Sequence, residues 1–215
     1  MEMAYKKLKL MEIKELDKKD YKKAREFAVS GMHLYWYAKN KFDLKLYSRY
    51  FWYESLNRAT KAYGAYSGGK LVGVLLSAMN GKPHKYRSIF KTFYLWFFER
   101  LHLFSDSECA ETYEQSNQKM YRKFCEKCVP DGEITFLAAD LNCKIKGIGT
   151  ALLSAFEKDE SGKVVFLYSD GGCTYQFYEH RGFTREGECD VLENINGKKA
   201  FLKCFLYAKK IAESV

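Results

Sequence analysis

A glycine-containing segment, residues 144–149, constrains the fold of this chain more than any other stretch. It follows an apolar and β-branched run, residues 133–140, that is typical of a strand, and it precedes a run with the periodicity of an amphipathic helix. The apolar helix positions are Ile148, Ala151, Leu152, Ala155 and Phe156. The glycines therefore lie at a strand-to-helix turn, where the absence of a Cβ lets a ligand approach the backbone. The free N–H groups at the start of the helix predict an anionic ligand, above all a phosphate.

Two common phosphate-binding loops are excluded by the same residues. The dinucleotide fingerprint G-x-G-x-x-G needs a third glycine at a position that holds Leu152 in this chain. The nucleotide loop G-x-x-x-x-G-K-[ST] needs Lys followed by Ser or Thr after its last glycine, and no such pair follows Gly149. The pattern that remains is K-x-x-G-x-G.

This pattern resembles the Q/R-x-x-G-x-G/A signature of the GCN5-related N-acetyltransferase (GNAT) family, with Lys144 in place of Gln or Arg. A second segment, FYEHRGF at residues 177–183, is similar to the family's (F/L)Y-x-x-x-GF helix end, where a tyrosine faces the cofactor sulfur. The resemblance covers residues 134–207 well and the first half of the chain in outline. It departs at Gly171, where the family often has an asparagine.

The resemblance implies a single acyl-CoA N-acyltransferase-like α/β domain over residues 1–215, with a mixed, mostly antiparallel sheet of about seven strands flanked by helices. It implies acetyl-CoA as cofactor, bound in part where the sheet opens between the strands at Ile134 and at residues 164–168. It also implies direct transfer of the acetyl group to a primary amine of a small molecule or protein in a ternary complex. The expected cofactor contacts are Leu137, Ala138, Ala139, Lys144, Ile145, Lys146, Gly147, Ile148, Gly149, Thr150 and Thr174.

Tyr178 is the predicted catalytic residue at the leaving sulfur. Full proton transfer from a phenol of pKa near 10 to a thiolate whose acid has pKa near 8.5 is uphill by about 2 kcal/mol in water. Tyr178 is therefore expected to donate a hydrogen bond that becomes a proton transfer late in the reaction. A core tyrosine on an amphipathic helix is the alternative interpretation.

The predicted general base is Glu133. The resemblance places the base of some family members at the position of Glu133, seven residues before Asp140. A strand-end surface carboxylate and a water chain to solvent are the alternatives. Cys143 and Cys173 lie near the predicted cofactor site, but a covalent relay is not expected because no histidine partner is evident.

Between the third and fourth strands, residues 80–132 form a long insertion that is expected to hold two helices, near 86–104 and 107–128. The first is apolar almost all round, which predicts a buried helix or an interface. It is interpreted as a lid over the acceptor side, a homodimer contact or a membrane-surface contact. Two further turns are predicted in hairpins, at Gly68-Gly69 and at Asn196-Gly197. Aromatic residues in a helix at residues 44–59 are interpreted as core or as the lining of a substrate pocket.

Composition excludes several other classes of function. The net charge of +9 comes from lysines that are spread along the chain, often beside acidic residues, so a nucleic-acid partner is not expected. Seven irregularly spaced cysteines indicate reduced thiols in a cytoplasmic protein, and the lone Cys125-x-x-Cys128 pair does not predict a metal site. No apolar run reaches the length of about 18–20 residues of a membrane span, so no stable membrane insertion is expected, and the first residues lack a signal-peptide core.

Two rivals to the N-acetyltransferase remain. One is a coenzyme A-binding sensor or interaction module without turnover, which the departures at Lys144 and Gly171 permit. The other is acylation of an oxygen acceptor.

Overall fold

The computed structural model describes residues 11–101, 108–195 and 198–213. Within this part the chain forms seven strands and six α-helices, which confirms the predicted α/β class. In chain order these are β1 (Met11–Glu15), α1 (Tyr21–Gly31), α2 (Lys41–Arg58), β2 (Lys61–Ser67), β3 (Lys70–Met79), α3 (Ile89–Arg100), α4 (Glu108–Cys125), β4 (Gly132–Ala139), α5 (Ile148–Asp159), β5 (Val164–Asp170), α6 (Gln176–Glu179), β6 (Thr184–Ile195) and β7 (Lys198–Lys210).

The strands form one mixed sheet in the order β1-β2-β3-β4-β5-β7-β6. Every neighbouring pair is antiparallel except β4 and β5, which are parallel and joined through α5. A parallel pair needs such a crossover, because a tight turn can join only antiparallel strands. The predicted mostly antiparallel sheet is confirmed.

Helices cover both faces of the sheet. On one face, which we call the cofactor face, α5 packs through Ile148, Leu152 and Phe156 over β1–β4, and α6 packs beside it. On the other face, which we call the acceptor face, α1 and α2 cover β1–β4, and α4 covers β5, β7 and β6. The parallel pair β4–β5 therefore lies where the cover by α1 and α2 ends and the cover by α4 begins.

Two predicted hairpin turns and the start of α2 bear on the local sequence predictions. Gly68 and Gly69 have φ of 56° and 73°, as the predicted β2–β3 turn requires. The predicted Asn196-Gly197 turn lies outside the described residues, although the strands on either side pair up to Ile195 and Lys198. The second helix begins at Lys41 and not at Leu44, because the Asn40 side chain accepts hydrogen bonds from the first turn.

The insertion between β3 and β4 holds the two predicted helices, α3 and α4. Helix α3 packs against α2 and buries Leu95 and Phe98. Its other side is open, with large apolar side chains exposed at Ile89, Phe90, Phe93, Trp96 and Phe97. No helix in the described ranges has both the length and the apolar composition needed to cross a membrane.

Candidate active site

An opening between β4 and β5 forms the centre of the candidate site. The two strands pair only at Gly132 with Val165 and at Glu133 with Phe166 among the described residues. Beyond these pairs β4 continues to Ala139, bonded to β3 on its other side. The residues predicted to contact the cofactor through their backbone, Leu137, Ala138 and Ala139, therefore lie along an edge of β4 that β5 leaves unpaired. Such an edge offers free N–H and C=O groups to a ligand that has an amide backbone of its own.

The N-terminus of α5 lies next to this opening. Gly147 takes the N-cap position with φ of 82° and, as a glycine, has no side chain to cap the helix. Within the part of the chain that the structure describes, Gly147 O accepts from Ala151 N at 2.9 Å, whereas the N–H groups of Ile148, Gly149 and Thr150 have no acceptor. Three free donors at the positive end of a helix dipole are suited to a phosphate.

The remaining residues of this loop differ in exposure and packing. Lys144 and Lys146 are exposed and add positive charge at the loop, whereas Ile145 packs partly into the core of the cofactor face. A Cβ on Gly149 would lie 3.3 Å from the Phe177 ring, so this glycine lets α6 pack closely against α5. Gly147 thus supplies a left-handed backbone conformation and Gly149 a close helix contact, and both stay predicted cofactor contacts.

Tyr178 lies on α6 within the core of the cofactor face. Its ring packs edge-on against Phe177 and Phe183, with centroids 5.3 and 5.8 Å away, and lies 6.1 Å from the Tyr207 ring. The Tyr178 hydroxyl has no hydrogen-bond partner among the described residues, unlike the Tyr207 hydroxyl, which donates to Glu179 at 2.7 Å. Burial, with a smaller contribution from Cys173, raises the pKa of Tyr178. Tyr178 is therefore a neutral phenol with a donor available to a ligand.

The loop from β5 to α6 closes this side of the opening. The Asp170 side chain accepts from the backbone N–H groups of Gly172 at 2.8 Å and Cys173 at 3.1 Å. Burial and the neighbouring Asp170 carboxylate raise the pKa of the Cys173 thiol to about 12. Thr174, the predicted cofactor contact of this loop, is exposed just before α6. Gly182 follows α6 with φ of 78°, the left-handed conformation in which a glycine commonly ends a helix.

The chain is similar to known proteins in structure and not in sequence. No family model and no curated protein matches the sequence. A histone acetyltransferase HPA2 and related acetyltransferase from Corynebacterium glutamicum superimposes with a TM-score of 0.56 at 13% identity, over 95% of this chain and 97% of that one. An agmatine N-acetyltransferase gives 0.55 at 9% identity, over 94% and 99%. Ard1 from Thermoplasma volcanium gives 0.51 at 15% identity, over 95% and 99%.

The fold is that of the GCN5-related N-acetyltransferases. Further structures of similar fold include a GNAT-family acetyltransferase from Desulfovibrio desulfuricans, with a TM-score of 0.52 at 13% identity over 94% of this chain and 99% of that one. The predicted resemblance is thereby confirmed for the fold. At identities this low the likeness concerns the fold, and the chemistry must be argued from the side chains of this chain.

Glu133, the predicted base, lies on the other face of this GNAT fold from Tyr178. It occupies the last β4 position that pairs with β5, and its carboxylate forms an ion pair with Arg58 of α2. Its side chain is 12% exposed, so the alternative of a surface carboxylate is wrong. Burial raises the pKa of Glu133, although Arg58 acts in the opposite direction. The β4–β5 opening lies between Glu133 and Tyr178, and the structure does not bring the two side chains into contact.

The acceptor face also holds polar residues that the sequence argument missed. Glu193 of β6 is 3% exposed, and no hydrogen bond to its carboxylate is formed by any described residue. Asp170 of β5 and Tyr37, from a 3-10 turn at Leu34–Tyr37, interact electrostatically with it. Of the aromatic residues predicted to be core or pocket, Trp52 is buried in the core, and Tyr47 packs against that core and against Tyr37. No spacing signal connects these residues, because they come from four separate elements.

Proposed function

We propose that this chain is an acetyl-CoA-dependent N-acetyltransferase that moves an acetyl group to a primary amine by direct transfer in a ternary complex. The observation that carries the proposal is the β4–β5 opening. It is flanked by the first N–H groups of α5 and by the Tyr178 hydroxyl, none of which has a hydrogen-bond partner among the described residues. Proteins of similar fold are named for a histone and for agmatine, which supports acetyl transfer and leaves open a protein or small-molecule acceptor.

The cofactor side supports binding of coenzyme A in two parts. The N–H groups of residues 148–150, with Lys144 and Lys146 at the loop, suit its phosphates. The unpaired edge of β4 at residues 137–139 suits the amide groups of its pantetheine arm. When bound there, acetyl-CoA supplies the thioester carbon that the amine attacks.

The residues of this chain then serve three steps of the transfer. A backbone N–H near Ala139 polarises the thioester carbonyl. Glu133, or water in the opening, takes the proton that the amine must lose before it can act as a nucleophile. Tyr178 donates its hydroxyl proton toward the leaving sulfur, and the raised pKa keeps this hydroxyl protonated until the sulfur acquires negative charge.

Direct transfer is supported by the state of the nearest thiol. A relay through Cys173 would need a thiolate, because the thiol itself is a weak nucleophile. Burial and Asp170 raise the pKa of Cys173 to about 12, so almost none of it is ionised at neutral pH. The amine is therefore expected to attack the thioester itself.

One observation favours the second candidate, a coenzyme A-binding module without turnover. Arg58 is ion-paired with Glu133 and lies 3.8 Å from Glu54, which limits the freedom of Glu133 to accept a proton. A sensor would keep the cofactor side and need no base. The two candidates share the prediction of coenzyme A binding and differ in turnover.

Thermal unfolding with and without acetyl-CoA tests the shared prediction. A ligand at about 100 times its dissociation constant adds about 2.7 kcal/mol of stability, which should raise the unfolding midpoint by several degrees in a chain of this size. Free coenzyme A should act similarly, and inorganic phosphate at the same concentration should act weakly. Release of free thiol upon addition of amines then separates the enzyme from the sensor. An unchanged midpoint at millimolar acetyl-CoA would contradict both candidates.

A further inference from the structure

The open side of α3 carries a patch of large apolar side chains. Six residues in and directly after the helix are exposed, and spacings of three, four and seven residues put them on one side of it. They are half of the twelve large apolar residues that are exposed in the described part of the chain. The six residues, which we call the α3 patch, are Ile89, Phe90, Phe93, Trp96, Phe97 and Leu101. Single exposed apolar residues are ordinary, whereas a contiguous patch marks an interaction site.

The area of the α3 patch is large enough for a protein interface. A phenylalanine or tryptophan side chain offers about 150–250 Å², and the four aromatic residues of the patch are 43–67% exposed. They therefore present about 450 Å² of aromatic surface, to which Ile89 and Leu101 add. Two copies of the patch supply about 900 Å² from aromatic rings alone, close to the total of about 1,000 Å² that a specific interface needs.

The aromatic rings of the patch are held by rings beneath them. Phe90 packs edge-on against Tyr53 of α2, with ring centroids 6.3 Å apart. Phe97 packs edge-on against the buried Phe98, with centroids 5.7 Å apart. Rings that are fixed before binding lose little side-chain entropy when a partner covers them. The patch is therefore a preorganised surface.

The patch also has a concave part. A groove of about 620 Å³ lies beside the N-terminal half of α3, and its lining includes Ile89, Phe93 and Trp96. The C-terminal half carries exposed side chains outside this groove, Phe97 and Leu101. In a twofold interface each contact of residue i with residue j is matched by a contact of j with i. A surface with a groove at one end and exposed side chains at the other can therefore pair with a second copy of itself.

The surroundings of the patch are unsuited to a lipid surface. A helix that lies in a membrane interface has a polar face rich in Lys and Arg opposite its apolar face. The opposite face of α3 instead packs on α2. Of the three charged residues in the helix, Lys91 donates to the carbonyl oxygen of Tyr86 at 2.6 Å and Glu99 is acidic. This leaves Arg100 as the cation that the helix offers to anionic lipids.

The orientation of the patch is likewise unsuited to a lid. A lid would turn its apolar side toward the β4–β5 opening and cover the bound substrates. Helix α3 packs its buried side, with Leu95 and Phe98, on α2 and turns the patch away from that helix. Of the three interpretations that the sequence permits, the homodimer contact agrees with the area, the shape and the orientation of the patch.

We propose that the α3 patch is the interface of a symmetric homodimer, in which α3 of one copy packs against α3 of a second copy. Apolar area, and above all tryptophan and phenylalanine, supplies most of the binding free energy of such an interface. No residue of the candidate site other than those of its supporting fold is involved, so this inference does not depend on the proposed acetyl transfer.

Sedimentation velocity and light scattering at micromolar concentration test the proposal. The parent chain should have twice the 25.1 kDa mass of one chain. Phe93→Asp should raise the dimer dissociation constant by at least about thirtyfold, the effect of losing an interface hot spot. Because the Phe93 side chain is 59% exposed, the variant should keep the circular dichroism spectrum of the parent.

The matched control is Phe201→Asp. Phe201 is a phenylalanine of β7 that is 77% exposed and lies outside the patch. The control removes an exposed ring and adds a negative charge, as Phe93→Asp does, but it should leave the dimer intact.

A mixture of two variants tests the symmetry of the contact. Phe93 lies near the middle of the patch, so a twofold axis through the patch brings it close to its counterpart in the other copy. Phe93→Asp and Phe93→Lys should each be monomeric alone, because like charges meet. An equimolar mixture of the two should form dimers, because opposite charges meet.

Four outcomes would overturn the proposal. A parent chain that stays monomeric at its highest soluble concentration would do so. A dimer that survives Phe93→Asp would place the interface elsewhere, and Phe93 variants that stay monomeric when mixed would reject the twofold contact. Phe93-dependent co-sedimentation of a monomeric parent chain with vesicles of phosphatidylglycerol and phosphatidylcholine would assign the patch to a lipid surface.

Discussion

The two sides of the β4–β5 opening are built in different ways. The cofactor side consists mainly of backbone groups, namely the edge of β4 that β5 leaves unpaired and the N–H groups at the start of α5. The Tyr178 side chain and the exposed Lys144 and Lys146 lie beside them. The acceptor side consists of side chains from separate elements, among them Glu133, Asp170 and Glu193. A site made of backbone persists when side chains change, so the cofactor side belongs to the fold. The acceptor side depends on the particular side chains of this chain, and under the proposed function it would select the acceptor.

The two sides also differ in charge. Lys144 and Lys146 are exposed at the phosphate loop, whereas the acceptor face buries the carboxylates of Glu133 and Glu193. The charges suit a polyanionic cofactor on one side and a cationic acceptor on the other. The net charge of +9 conceals this division, because it averages over the whole surface.

Among substitutions on the cofactor side, replacement of Tyr178 should lower kcat the most. Tyr178→Phe keeps the ring that packs against Phe177 and Phe183 and removes the unpartnered hydroxyl. We expect kcat to fall by about a thousandfold, within the usual range for loss of a proton donor. Coenzyme A affinity, measured by calorimetry, should be nearly unchanged.

Tyr207→Phe is the matched control for this variant, because its ring lies beside that of Tyr178 and its hydroxyl is already bonded to Glu179. It should lose some stability and keep kcat. If Tyr178→Phe kept full turnover, Tyr178 would be a core residue, and the leaving sulfur would have to be stabilised by backbone groups.

Replacing Glu133 tests whether the acceptor side contributes a base. Glu133→Gln should lower kcat by about a hundredfold. Burial raises the pKa of Glu133, and a base works only when ionised, so the parent enzyme should gain activity as pH rises through this pKa. The variant should lack this acidic limb in its profile of kcat/KM against pH.

Glu54→Gln serves as the control, since Glu54 also lies near Arg58 but is placed on α2, outside β4. It should retain the acidic limb. An unchanged profile in Glu133→Gln would assign proton removal to water and leave Glu133 as the ion-pair partner of Arg58.

The same contrast explains what could be predicted from the sequence. Gly147 and the strands on either side follow from local spacing, because strand, turn, helix and glycine signals each involve residues near one another in the chain. Tyr178 was predicted from the resemblance of residues 177–183 to the family segment. Glu193 could not be predicted in this way. It lies near Tyr37 and Asp170 through the assembly of the sheet, and no described residue forms a hydrogen bond with its carboxylate there. The ion pair of Arg58 with Glu133 is equally non-local.

The smallest predicted effect tests whether the backbone at Gly147 contributes to coenzyme A binding or only forms a turn. Gly147→Ala places a Cβ on a residue with φ of 82°, and Gly81→Ala does so at 75° on the β3–α3 connection, where a Cβ meets no neighbour. Each should lower the free energy of unfolding by about 1–2 kcal/mol, the cost of the left-handed conformation. Because relief of this strain would rotate the first N–H groups of α5, only Gly147→Ala should also weaken coenzyme A binding, by about tenfold. Equal unfolding losses with equal coenzyme A affinities would make Gly147 a turn residue alone, and would place the binding energy on the β4 edge and the lysines.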